Sequence, residues 1–161
     1  MTTKADFTEE EWARLRRAPL VAGMAISLAD PGGPIEVIKE TSAAAKSILD
    51  AAQGGEHGDL VREVAADAAD QIKQRKNPVG DFKPRGTAAG QEILDELKGV
   101  NDIVIAKASP DEATQFRDWL KSSAQRSADA AKEGGFLGFG AKQVSEGEQK
   151  MLDRLGEVLA G

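Results

Sequence analysis

Apolar residues recur at intervals of three and four along most of the chain. Trp12, Leu15, Pro19, Ala22, Ile26 and Ala29 form one such stripe, and Ile35, Ile38, Ser42, Ala45, Leu49 and Ala52 a second. Val61, Val64, Ala65, Ala68 and Ile72 form a third, and Ile93, Leu97, Val100, Val104 and Ala108 a fourth. Phe116, Leu120, Ala124, Ser127 and Ala131 follow, and Met151, Leu152, Leu155, Val158 and Leu159 close the series. This is the period of one α-helical face, not the alternation of a half-buried strand. The spacing predicts six helices, near 9–29, 34–53, 59–75, 87–108, 110–133 and 146–160. The first is apolar nearly all round over residues 18–29, which predicts a place at the bundle centre. Pro19 within it lacks an N–H and predicts a kink. Ile103-Val104-Ile105-Ala106 has the side chains of a strand, but no second strand is predicted to pair with it, so it reads as helix.

Helix-start signals agree with the stripes. Thr8-Glu9-Glu10-Glu11 reads as a capping box, with Phe7 and Trp12 placed as a hydrophobic staple around it. Ser109-Pro110-Asp111-Glu112 combines a cap, a Pro in the first turn and acids at the positive end of the helix dipole. Ser145-Glu146-Gly147-Glu148 is a third box and Gly33-Pro34-Ile35-Glu36 a weaker start. Gly and Pro punctuate the connections at Gly54-Gly55, across 77–86 and across 134–141. None reads as an interdomain linker. The fold class expected is all-α: one domain, residues 1–161, a bundle of about six helices. A capped helix ending near a Gly-Gly turn, followed by another helix start, recurs at Thr8 and Ser109, so two pseudo-repeated halves are an alternative description.

Composition narrows the chemistry. The 161 residues include no Cys, no Tyr and one His. Disulfides, zinc–thiolate sites and thiol nucleophiles are excluded. A single His cannot supply the paired Glu-x-x-His motifs of a bundle di-iron site. No Gly-x-x-x-x-Gly-Lys-Ser/Thr loop occurs, so a P-loop is excluded as well. The net charge of −6 disfavours nucleic acid, whose phosphates an acidic surface repels. Arg14, Arg16 and Arg17 before the apolar 18–29 run, with Ser27-Leu28-Ala29 after it, imitate an export signal. Asp6, Glu9, Glu10 and Glu11 cancel the positive charge such a leader needs, and the run is too short to span a bilayer. The expectation is a cytoplasmic protein, with a membrane association disfavoured.

The candidate sites follow. His57 lies in Gly55-Glu56-His57-Gly58 and reads as a surface loop residue between helices. Glu63, Asp67 and Asp70 lie three to four apart on the third helix; such a row could hold a hard cation, but the plainer reading is a solvated face. The 134–141 segment places Phe136, Leu137 and Phe139 among four glycines. It reads either as a lid folded onto the core or as an apolar tip that binds a partner. Lys73, Arg75, Lys76, Lys83 and Arg85 flank the 77–86 loop, with Asp81 opposing them. A solvated loop is the plain reading; a contact with an acidic partner or another subunit is the functional one. Phe136, Leu137, Phe139, Lys83 and Arg85 are therefore the candidate partner-binding residues, and no catalytic set is expected. The leading expectation is a non-enzymatic interaction or assembly module that meets a protein partner or itself.

Ala29-Asp30-Pro31-Gly32-Gly33 and Val144-Ser145-Glu146-Gly147-Glu148 carry a resemblance over part of the chain. They are similar to the Ala-Asp-Gly-type turn and the Val/Ile-Ser-x-x-Glu start of the TerB-like family of bacterial helical domains associated with tellurite resistance. Pro31 interrupts the first turn, and Lys132-Glu133-Gly134 stands where the family has a second Asp-Gly. The resemblance implies a cytoplasmic, non-catalytic, stress-linked helical module. It also implies, as the alternative function, a divalent cation held by Asp30, Glu36, Glu133 and Glu148. No other cofactor is expected.

Overall fold

In the computed structural model, residues 1–29, 34–54, 56–132 and 144–160 are described; within 34–40 and 131–132 this applies to the backbone alone. Six α-helices occur among them: α1 (Glu9–Ala29), α2 (Pro34–Ala52), α3 (Asp59–Lys73), α4 (Ala89–Lys107), α5 (Pro110–Lys132) and α6 (Glu146–Val158). Short 3-10 turns, Lys4–Asp6 and Gly86–Ala88, precede α1 and α4. The described residues contain no strand, and Ile103-Val104-Ile105-Ala106 is helical. The Asp30, Glu133, Phe136, Leu137 and Phe139 assignments lie outside the described residues, as does the side chain of Glu36.

The caps form as the sequence predicts. Thr8 N–H donates to Glu11 Oε2 at 2.8 Å while Glu11 N–H donates to Thr8 Oγ1 at 3.1 Å. Phe7 and Trp12 close the staple with ring centroids 5.6 Å apart. Ser145 and Glu148 repeat the reciprocal pair at 2.8 and 3.2 Å. Glu112 does more than cap α5. Its carboxylate accepts from Ser109 N–H and Oγ, and also from Thr2 N–H and Oγ1, each of the Thr2 bonds at 2.8 Å. Thr2 is thereby tied to the start of α5.

The Thr2 backbone bond chiefly holds the Glu112 carboxyl down at about 2, against an ordinary 4.5, with the Ser109 bonds adding and burial opposing. A group with a depressed folded pKa contributes stability above its unfolded value and loses it as pH falls through the folded one. Glu112→Ala is therefore expected to lower unfolding free energy by about 1–2 kcal/mol at neutral pH. The gap from wild type should shrink as pH falls from 4.5 towards 2. Urea unfolding at pH 7 and pH 3 measures both; a gap that is equal at the two pH values refutes the assignment.

The core sits around α1. Ala18, Pro19, Leu20, Val21, Ala22, Gly23, Ala25 and Ile26 are all buried, on every side of the helix. α1 touches each of the other five helices, which is the central position its uniform apolarity predicts. Trp12, Leu60, Ile93, Leu97, Phe116, Trp119, Leu120 and Leu155 fill the remaining volume. One predicted face is wrong. On α2 the buried residues are Ala44, Ser47, Ile48 and Ala51, while Leu49 is exposed and Ala45 and Ala52 are half-buried. The small residues Ala43-Ala44-Ala45 leave two faces of similar apolarity. The tertiary contact selects the one carrying Ser47, whose hydroxyl meets that of Ser123 on α5 at 2.8 Å inside the core.

Candidate functional site

The basic segment after α3 is built from backbone constraints upward. α3 ends in a Schellman motif: Lys76 N–H donates to Gln71 O at 2.9 Å and Arg75 N–H to Ile72 O at 3.0 Å. That motif needs one residue in the left-handed region, normally Gly. Here it is Arg75, with φ +55°, the one non-Gly residue of positive φ among the described residues. The chain then turns at Asn77. Asn77 Oδ1 accepts from Val79 N–H at 3.1 Å, Gly80 N–H donates to Asn77 O at 3.1 Å, and Asn77 Nδ2 donates to Gly80 O at 3.2 Å. Pro78 presets the turn, and Gly80 supplies a further positive φ of 66°. Val79 and Phe82 pack against the core. Arg85 N–H reaches Glu92 Oε2 at 3.4 Å and so ties the far limb to α4.

Phe82 is held by a charged chain that runs inward. Its ring faces the Arg17 guanidinium, with Cζ 5.2 Å from the centroid. Arg17 Nε and Nη2 lie 2.8 and 2.7 Å from Glu96 Oε1. Arg14 takes the same carboxylate, 3.0 Å from Oε2, and also bonds the Glu96 carbonyl. The Glu96 side chain is 10% exposed. Gly99, one turn along α4, makes room for Arg14: a Cβ there would stand 2.1 Å from its Nη2.

The exposed limb carries the remaining charge. Arg75, Lys76, Lys83 and Arg85 are exposed, and none forms an ion pair among the described residues. Lys73, by contrast, reaches Asp70 at 3.6 Å. The sequence already groups Lys73, Arg75, Lys76, Lys83 and Arg85 around the loop, with Lys83 and Arg85 as the partner-binding candidates; the structure separates Lys73, which pairs with Asp70, from the other four. The sequence gave no warning of Phe82, Arg17 and Glu96 as the anchor of the segment, because the three lie in different elements and share no spacing.

No protein-family model, curated protein or solved structure matches this chain. The arrangement of its own side chains is therefore what bears on function.

Other candidates have plainer surroundings. Asp67 is not on a solvated face. It accepts from Trp12 Nε1 at 2.7 Å and Arg16 Nη1 at 3.1 Å, with Lys4 at 3.5 Å. Burial raises its pKa, but those hydrogen bonds and the Lys4 and Arg16 charges bring it below the ordinary 3.8. Glu63 accepts from Lys4 N–H at 3.4 Å, so Lys4 meets both Glu63 and Asp67, while Asp70 pairs with Lys73. Glu148, the one carboxylate of the TerB-like set with a described side chain, is buried and occupied by its capping box. Among the described residues no three His, Asp or Glu side chains cluster as metal ligands.

His57 is half-buried. It lines a groove of about 310 Å³ with Glu56, Gln115, Asp118, Trp119 and Ser122. His57 forms no hydrogen bond with these neighbours, and the buried Trp119 Nε1 has no acceptor among the described residues. A base aligned on the Ser122 hydroxyl, which nucleophilic catalysis requires, is not formed there. No described helix is long and apolar enough to cross a membrane.

Proposed function

We propose that this chain is a non-enzymatic, cytoplasmic interaction module whose contact surface is the basic segment 75–85. The observation that carries the reading is Arg75. A left-handed backbone costs an ordinary residue about 1–2 kcal/mol, and glycine avoids that cost. Strain kept at an exposed position, on a residue whose side chain pairs with no described acid, points to use of that side chain. Three further exposed cations on the same segment, without an ion pair among the described residues, supply the rest of the surface.

Arg75→Gly is accordingly expected to raise unfolding free energy by about 0.5–1 kcal/mol, since glycine adopts φ > 0 without strain. The same change should weaken partner binding, an exchange of stability against function. Denaturant titration measures the first effect. A variant less stable than wild type would show that Arg75 is there for the fold.

The docking reading is tested with immobilised wild type beside Lys83→Glu/Arg85→Glu. A partner retained by wild type at about 0.15 M salt, released by higher salt and absent from the reversed variant, supports it. Equal retention on both, with equal melting temperatures, overturns it.

A further inference from the structure

We propose that the partner presents a run of Asp and Glu side chains, and that Phe82, seated on Arg17, is the positioning residue that holds segment 75–85 in the shape that meets it. The inference rests on the docking reading above.

The identity of the partner segment follows from what the surface offers. Two arginines and two lysines stand on a segment whose opposing acid is Asp81 alone. Guanidinium groups match carboxylates in a bidentate fork, and lysines add point charges. A single-stranded nucleic acid would need the same cations and, in addition, open aromatic faces on which to stack its bases. Every described aromatic ring, Phe7, Trp12, Phe82, Phe116 and Trp119, is buried or half-buried. Phe82, the ring nearest the cations in sequence, already faces Arg17. A long polyphosphate would also run beyond the segment onto a chain of net charge −6. A short acidic stretch of protein meets neither obstacle.

The role of Phe82 follows from its place in the loop. Arg75 and Lys76 stand before the Asn77 turn and Lys83 and Arg85 after it. Their separation therefore depends on residues 78–82. The Schellman motif fixes the first limb and the Arg85–Glu92 contact the second. Between them, after the Asn77 turn, Val79 and Phe82 supply the contacts to the body of the protein. Glu96, 2.7 and 2.8 Å from the Arg17 guanidinium, opposes any movement of Arg17 after a displaced ring. A loop released from this seat must be ordered again when it binds, and that entropy is subtracted from affinity.

The experiment uses the full chain and a fluorescein-labelled peptide of alternating Asp and Glu, read by anisotropy at about 0.05 and 0.15 M salt. Wild type is expected to bind, more weakly at the higher salt. Lys83→Glu/Arg85→Glu should lose about tenfold or more in affinity. Phe82→Ala, with every cation intact, should lose roughly three- to tenfold, and Phe82→Trp should restore binding because its ring also faces a cation. Phe82→Leu keeps the apolar contact and removes the ring face; it should lose affinity in the same direction and serves if the alanine variant does not fold. Loss in the charge-reversed protein with full binding by Phe82→Ala and Phe82→Leu overturns the positioning role and leaves the docking surface standing. Peptide binding that survives charge reversal overturns the docking reading itself. An oligothymidine or an anionic phosphatidylserine vesicle that binds where the peptide does not overturns the acidic-segment assignment.

Discussion

Glu96→Ala is expected to remove about 2–4 kcal/mol of unfolding free energy, the larger share of which is the charge left behind. Glu96 lies on α4 with 10% of its side chain exposed, between Arg14 at 26% and Arg17 at 18%. Both arginines come from α1, and both direct their guanidinium groups to one carboxylate. Without it, two like charges share a poorly hydrated site. Breaking a fully buried pair from one side costs about 3–5 kcal/mol, and the partial exposure of the arginines brings the expected loss below that. Glu96→Gln, which keeps the volume and part of the hydrogen bonding, should cost less. Arg14→Met/Arg17→Met/Glu96→Leu should recover most of the loss, because a complete apolar replacement leaves no unpaired charge. Guanidinium unfolding with a common slope reads all three. A Glu96→Ala protein within about 0.5 kcal/mol of wild type, the scatter of ordinary surface substitutions, would show that water, not the carboxylate, solvates the arginines. The same variant should free Phe82 by releasing Arg17, so its acidic-peptide affinity should fall although no cation of segment 75–85 has changed.

Gly23→Leu is expected to abolish the native packing of α1, at a cost of about 3 kcal/mol or more if it folds at all. Gly23 is buried where α1 passes between α2 and α5. A Cβ there would lie 3.0 Å from Ala44 Cβ and 3.1 Å from Ser127 Oγ. Ser127 Oγ is itself engaged with Ser123 O at 3.2 Å. The neighbours on both sides belong to helix faces and have little room to yield. Gly23→Ala sets two effects against each other. Alanine gains roughly 1 kcal/mol of helix propensity, and the two close contacts cost about 1–3 kcal/mol. A small net loss is expected, and Gly23→Ala/Ala44→Gly should couple favourably relative to the two single variants. Urea unfolding measures the cycle. Additive single effects would mean that Ala44 does not limit the space.

Much of the fold can be read along the chain. The reciprocal boxes at Thr8, Ser109 and Ser145 are local, because donor and acceptor lie three residues apart and need only the helix start to meet. The central place of α1 is legible for a related reason: a helix apolar on all sides has nowhere else to go. The face of α2 is not legible. Its alanines make neighbouring stripes nearly equal, and the Ser47–Ser123 contact that decides between them joins residues far apart in sequence. The inward turn of Asp67 is hidden for the same reason, since Trp12 and Arg16 belong to another helix.

The candidate site divides along the same line. The cations 75, 76, 83 and 85 and the Pro and Gly of their loop are properties of residue type and local spacing, which need no folding to be present. Which cations find an ion pair among the described residues, that Arg75 takes a left-handed backbone, and that Phe82 rests on an arginine held by Glu96 are decided only when α1, α3 and α4 come together. Helical period and caps are short-range and survive in one dimension. Ion pairs and ring contacts across helices depend on distances of a few ångströms between segments whose separation along the chain sets no limit on them.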